Sequence, residues 1–394
     1  MDIGGFRLTE VPADFYDDPY RYYAALREGD PVHELERGSY FLSRYEDVVA
    51  VYRHAAASSD KKIEFRPKFG HSPLYEHHTT SLVFNDPPLH TRVRGTIMGA
   101  LNQRAIARME NAVRELVDRL LDAFTPEVDF IAAFAARIPV EVIGNLLDIP
   151  RDERGPLRAW SLAILSGLEP RPTPEMLERG NRAVVEFKDY LARLVAARRK
   201  SPGDPESDVL TRLAQDKTLS ALELYHNCIF LLNAGHETTT NLIGNGTWLL
   251  LNHESEMQKL RRERALIASA VEEMLRYEGP IQLNNRRLTA AVSLSGKALP
   301  EGTLITLGIG AANRDPAQFP HAERFDVARK PNRHVAFGHG DHACAGMNVA
   351  RMEARIAFSR LLQRFSRLEP CAAPERDRRV RFRGFRKLPV RVKV

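Results

Sequence analysis

Ten residues, Phe337-Gly338-His339-Gly340-Asp341-His342-Ala343-Cys344-Ala345-Gly346, have the residue types and offsets of a tuned thiolate. Cys344 follows a glycine-rich turn and precedes an amphipathic stretch, 347–365, that reads as a helix. Unpaired N–H groups and the dipole at a helix start favour a thiolate there. Gly338, Gly340 and Gly346 let backbone come close to a flat or bulky group and let turn N–H groups point at the sulfur. A thiolate held this way is a good axial ligand for heme iron and favours O–O cleavage. The same residues also admit a dinucleotide loop, a zinc site using His339, His342 and Cys344, or an inert buried cysteine. No βαβ unit surrounds the glycines, and a structural zinc site needs a fourth ligand.

A second constellation lies inside a long helical pattern, 220–252: Ala234-Gly235-His236-Glu237-Thr238-Thr239. A mid-helix glycine costs roughly 1 kcal/mol against alanine, so Gly235 wants a reason, such as close approach of a flat cofactor. Glu237 and Thr238 pair an acid with an alcohol, a sensible relay for protons into a dry site. His236-Glu237 begins like a zinc-protease helix, but the second histidine would fall at Thr240, so that reading fails. Glu273-Met274-Leu275-Arg276 places an acid and a base three residues apart on one helix face. Asp86-Pro87-Pro88-Leu89-His90-Thr91-Arg92-Val93-Arg94 and Arg286-Arg287-Leu288-Thr289 supply further cations.

Together these segments resemble the cytochrome P450 heme-thiolate monooxygenases. The decapeptide meets every fixed position of the family pattern F-G-x-G-x-H-x-C-x-G, and the resemblance runs the length of the chain. It implies a single domain over 1–394, mainly α with a minor antiparallel β region, and heme b as cofactor. Cys344 would be the axial ligand of the iron. Thr238 would donate a hydrogen bond to the oxygen being activated, and Glu237 would gate protons. His90, Arg94, Arg286 and His342 would meet the heme propionates, with Ala234, Gly235 and Phe337 also against the ring. Glu273 and Arg276 would form a buried pair joined by a second arginine upstream of the cysteine loop, and Arg324 fits that place. The chain departs from the family at Leu89, where an acid is common, and at Ala343 and Ala345, where larger apolar side chains are common.

The implied reaction inserts one atom of O2 into a C–H bond, hydroxylating or O-dealkylating a small, apolar, aromatic-leaning substrate. Phe230, Asn233 and Ala234 share the face of Thr238 and would line the distal pocket, with Gln282 and Leu283 on the sheet side. Asn233, Arg66, Lys68, His77 and His78 would meet a polar or carboxylate end. The expected electron donor is a separate ferredoxin or flavodoxin with its reductase, docking near Arg104, Arg108, Arg351 and Arg355. A peroxide-driven or non-oxygenating heme-thiolate enzyme, and a non-catalytic heme sensor, remain alternatives.

These side chains need a large scaffold to position them. The chain has 394 residues, 43% apolar and 27% charged, ordinary for a soluble globular protein. Three cysteines make no disulfide framework, which fits a reducing cytoplasm. The first residues hold no basic segment followed by an apolar run, so neither a signal peptide nor a membrane anchor is expected. A net charge of +6 without aromatic–basic interleaving argues against nucleic acid and allows a field that steers an acidic donor protein, the dense basic run 376–386 included. A monomer is expected. Helical patterns are predicted over 20–29, 45–54, 89–101, 106–124, 130–147, 155–165, 175–199, 254–263 and 265–277. Residues 55–85 read as a long loop, 201–205 as a linker, 280–310 as a small antiparallel sheet, and 380–394 as strand.

Overall fold

The 220–252 pattern is one helix, Ala221–Asn252, and its start is set by a capping box. The Glu223 N–H donates to the Ser220 hydroxyl (3.2 Å), and the Ser220 N–H donates to the Glu223 carboxylate (2.8 Å), satisfying two otherwise orphaned donors. The computed structural model describes residues 3–36, 38–205 and 208–393. Among these, no helix is long and apolar enough to cross a membrane. The polar residues that interrupt the apolar run of the central helix act as cross-braces. The Asn227 side chain accepts the Leu82 N–H (2.9 Å), and Asn245 donates to the carbonyls of Glu278 (3.0 Å) and Arg383 (2.9 Å). Each bond satisfies a buried polar group that would otherwise cost free energy.

Helices Arg137–Leu146, Leu157–Ser166, Pro174–Lys200, Ile267–Tyr277 and Met347–Arg364 surround this helix. Their apolar faces make one large core that includes Phe130, Phe134, Phe187, Leu232 and Phe358. A smaller core forms under a five-stranded sheet, with Val48, Leu288, Ile305 and Leu307 in it. Sheet order is Val32–Glu36, Ser39–Leu42, Leu304–Gly308, Leu283–Leu288, Ala57–Ser58. The antiparallel pairing expected over 280–310 is present, Leu283–Leu288 with Leu304–Gly308, and Ser39–Leu42 joins Leu304–Gly308 in parallel. A parallel pair needs a long connection, and residues 43–303 provide it.

Two stretches differ from expectation. Residues 55–85 hold helices Lys62–Phe69 and Pro73–Thr80 instead of a long loop. The second starts at Ser72, whose hydroxyl accepts the Tyr75 N–H, with Pro73 in the first turn. Phe65, Phe69, His78 and Phe84 make a ring cluster with centroids 5.1–5.6 Å apart, and this tertiary burial replaces the missing periodicity. Beyond the 201–205 linker a short helix, Val209–Gln215, is capped by Asp208. The carboxy-terminal stretch forms strands Phe385–Lys387 and Pro389–Lys393, as its pattern predicts.

Candidate active site around Cys344

Cys344 sits two residues before the Gly346 cap of helix Met347–Arg364. Its N–H donates to the Phe337 carbonyl (2.8 Å), which closes the loop on itself. Gly338 and Gly340 both adopt φ of +69°, and a Cβ on Gly340 would lie 2.8 Å from the Tyr52 carbonyl oxygen, so only glycine fits there. Burial pushes the Cys344 thiol up, opposed by the Gly346 N–H and by Arg94 and Arg351. Residues 336–339 and 342–347 are half-buried.

A second half-open stretch lies in the central helix. Ala234 is exposed and Gly235 and Thr238 are half-buried, although the turns on either side are buried. The Thr238 hydroxyl donates to the Ala234 carbonyl (2.6 Å), an i−4 back-bond of the kind that loosens a helix. Gly235 corrects the sequence expectation. A Cβ there would meet Ile143 Cδ1 at 2.5 Å, so the glycine makes room for helix Arg137–Leu146, not for a flat ring.

Glu237 is buried, and its partners are Arg379 and Asn241. Arg379 also pairs with Asp377. The basic run 376–386, expected at the surface, turns half its charge inward. Arg376 and Arg383 both reach the buried Glu278. Burial alone would raise the Glu278 carboxyl, but Arg383, Arg376 and Arg314 hold it at about 2. Arg378 and Arg386 remain exposed.

His90, Arg94, Arg286 and His342 gather as expected. The His90 and His342 rings are 3.9 Å apart. Both His90 ring nitrogens are buried without a partner. Burial lowers the basicity of His90, with Arg94 adding to it, and holds His342 down at about 3 with help from His90 and Arg286. Arg286 lies over the Tyr52 ring (5.3 Å) and donates to the Asn285 carbonyl, without a carboxylate partner among the described residues. Two imidazoles, one with both nitrogens unpartnered, and two guanidiniums fit a ligand that brings two carboxylates, as heme does. His339 turns away to Arg53 (2.9 Å), which removes it from the zinc reading, and no described group of His, Cys, Asp and Glu is arranged to hold a metal ion.

The cysteine loop is pinned from behind. Glu273 and Arg276 are fully buried and bidentate (2.7 and 2.8 Å). The second arginine on Glu273 is Arg329 (3.1 Å), not Arg324. Arg324 is exposed and gives only its carbonyl, to Arg276 and Arg329, so the sequence reading chose the wrong arginine of the 322–330 segment. Arg276 also donates to the Asn313 and Ala322 carbonyls, and the Asn313 side chain accepts the Val335 N–H (2.8 Å), two residues before Phe337. Arg351 lies over the Phe337 ring (4.6 Å) and is clamped by Glu272 with two 2.7 Å bonds, so it is not a free docking charge. Arg104, Arg108 and Arg355 remain exposed.

Of the residues expected at a substrate, Phe230 is half-buried on the central helix, and the Asn233 amide faces His77 Nε2 (3.4 Å). Gln282 is spent on the Gly279 carbonyl (2.8 Å) and Tyr20, and Leu283 is buried with Tyr23 and Phe41. Gln282 is thus tied up just before the strand, and Leu283 packs in the core of the amino-terminal helix and the sheet. Arg66 points outward to His71 (2.9 Å). Arg379, Arg329 and Glu272 were missed. Only the density of arginines near 376–386 signalled the first, and nothing local signalled which would be buried.

A cytochrome P450 family profile matches residues 168–393. Cytochrome P450 107B1 of Saccharopolyspora erythraea is 37% identical over 401 residues, covering 96% of each chain. The 6-deoxyerythronolide B hydroxylase of the same organism is 34% identical over 380 residues, covering 92% of this chain and 93% of its own. Among solved structures, P450BioI in complex with an acyl carrier protein ligated to hexadec-9Z-enoic acid superposes with a TM-score of 0.92 at 31% identity, over 97% of this chain and all of that one.

Proposed function

The chain belongs to the cytochrome P450 family of heme monooxygenases, and on that premise we propose that Cys344 would hold the heme iron through its thiolate, that Thr238 and Glu237 would handle protons, and that His90, Arg94, Arg286 and His342 would hold the propionates. Heme supplies the O2 chemistry when bound. The Gly346 N–H and Arg351 steady the sulfur, and Phe337 closes its loop. Thr238 offers a hydroxyl at the open turn beside Ala234, and Glu237 stands one residue away with Arg379 as its counter-charge. Glu273, Arg276 and Arg329 hold the segment that carries the loop.

The substrate is a small apolar organic molecule, hydroxylated or O-dealkylated, whose wall is Phe230, Ala234 and Asn233. A ferredoxin or flavodoxin with its reductase delivers two electrons, docking on the face that exposes Arg104, Arg108 and Arg355. Residues 1–394 act as one domain, as a cytoplasmic monomer.

The observation that carries this reading is the His90–His342 pair, a buried imidazole with both nitrogens unpartnered against a half-buried one, beside Arg94 and Arg286. The test is the spectrum of the ferrous protein under carbon monoxide. A strongly red-shifted Soret band in the wild type, lost in Cys344→His while heme stays bound, supports the assignment. An unshifted band in the wild type overturns it.

A further inference from the structure

We propose that Lys68 and Arg381 anchor the carboxylate end of an organic-acid substrate, in a cavity between helix Lys62–Phe69, strand Leu283–Leu288 and the carboxy-terminal segment. The cavity encloses about 180 Å³, and its wall includes Phe65, Lys68, Leu168, Asn285, Thr306 and Arg381. Apolar and polar groups alternate there, and the cations set the pattern.

Both cations have neutral partners only. Lys68 Nζ donates to the Glu169 carbonyl oxygen (2.6 Å), and two of its three N–H donors have no further bond. Arg381 donates to the carbonyls of Leu168 (2.9 Å) and Leu283 (3.2 Å) and to the Asn285 side-chain oxygen (2.5 Å). Neither has a carboxylate within ion-pair distance among the described residues. Of the acids at or beside the cavity, Glu36 is exposed to solvent and the other two are engaged. Glu64 pairs with Lys61 (2.7 Å), and Glu169 accepts the Val380 and Arg381 N–H groups (2.8 and 3.1 Å). Burial, with Arg381 beside it, lowers Lys68 to about 8. Arg7, Glu36 and Glu64 also line the cavity, so its charge is mixed, but neither Lys68 nor Arg381 is bonded to a carboxylate, and an incoming anion gives each a charge-assisted bond.

A line of packed, buried side chains runs from the cavity wall at Phe65 to the open turn of the central helix. His78 stacks near Phe65 and Phe69 (5.6 and 5.3 Å), His77 is 5.0 Å from His78, and the His77 ring meets Asn233 (3.4 Å), next to Ala234. Both His78 nitrogens, His77 Nδ1 and Asn233 Oδ1 are buried without partners along this line. On the other side, Arg379 touches Glu237 two residues before Arg381, a backbone span of at most about 7 Å. An acid held by its carboxylate and laid along this line of side chains has its body toward Ala234 and Thr238. This rests on the monooxygenase reading above and adds to it the chemical class of the substrate.

The test compares dodecanoate with dodecanamide, its neutral analogue, on the heme-loaded protein, by calorimetry and by the substrate-induced Soret shift. The expected result is about tenfold or tighter binding of the acid, the scale of one charge-assisted bond. Lys68→Gln weakens the acid by about as much and leaves the amide unchanged, and Lys68→Glu reverses the preference toward dodecylamine. Arg381→Gln behaves like Lys68→Gln. If it does not fold, the lysine variants carry the test, since that side chain braces only one carbonyl. Equal binding of acid and amide, or an equal loss of both in Lys68→Gln, overturns the proposal. Calorimetry reads the anchor independently of the thiolate band, so failure of the band and failure of the anchor are separate results.

Discussion

Arg379 and Glu237 form a buried ion pair that ties the carboxy-terminal segment to the middle of the central helix. Burial works against the Arg379 charge, but Glu237 and Asp377 overcome it and raise its basicity. The second Glu237 oxygen, Oε2, is buried and unpartnered, so the carboxylate has one face held and one face open. Arg379 is then a positioning residue for the proton step. Glu237→Gln is expected to slow donor-driven turnover about 100-fold, and Arg379→Gln about tenfold, within the range of general acid–base contributions. Both leave the carbon monoxide band in place, and both raise the solvent isotope effect on turnover. Wild-type rates in Arg379→Gln would remove the role.

Thr238 bonds back to Ala234 at an exposed turn in the middle of its helix. Thr238→Ala keeps that turn open and removes the hydroxyl. The variant is expected to consume electrons and O2 at a rate near wild type while releasing peroxide in place of product. Product yield per electron pair measures this. Unchanged yield, or a wild type that turns over with added peroxide and with no ferredoxin, favours the peroxide-driven alternative.

Arg329 and Arg324 lie five residues apart and differ sharply in environment. Arg329 reaches the buried Glu273, whereas Arg324 offers only backbone. Removing one partner of a buried charge network costs about 3–5 kcal/mol. Arg329→Ala, with Arg276 still in place, is expected toward the low end, near 3 kcal/mol. Arg324→Ala is expected within about 0.5 kcal/mol of wild type. Denaturant melts of the two variants give the comparison directly.

Glu353 is fully buried on helix Met347–Arg364, and burial raises its carboxyl from an ordinary 4.5 to about 8. The folded state therefore holds a proton that the unfolded chain has lost across that window. Stability from this group is complete below about pH 4.5, falls as pH rises toward 8, and levels off beyond. Glu353→Gln removes the dependence. Its Tm should match wild type near pH 5 and exceed it by a widening margin up to pH 8. A margin that stays constant with pH would show that Glu353 does not titrate in this range.

His90, with both ring nitrogens unpartnered, and the neighbouring Arg94 are proposed to meet the propionates. His90→Phe and Arg94→Met are each expected to release heme about 10–100 times faster, the loss of one charged hydrogen bond. Transfer to an excess heme scavenger gives the rate. Because a bound ligand stabilises the native state by mass action, heme removal should also lower Tm, and by less in these variants than in wild type.

Local chemistry made much of this protein legible in one dimension. The spacing of Phe337, Gly338, Gly340, His342, Cys344 and Gly346 encodes a turn and a helix start, because φ above zero and an unpaired helix end depend only on neighbours in the chain. The capping box at Ser220 and Glu223, and the pairing of Glu273 with Arg276, are likewise contacts within one helical turn. Tertiary structure alone decided which distant charge reaches which site. Arg379 meets Glu237 across 142 residues, Arg329 rather than Arg324 meets Glu273, and Arg381 joins Lys68 at one cavity. Gln282 left the candidate wall because its amide bonds the Gly279 carbonyl just before the strand, and Leu283 because it packs with Tyr23 and Phe41. An arginine reads the same in sequence at the surface or in the core. The buried acid that makes its burial tolerable belongs to another part of the chain, and only folding brings the two together.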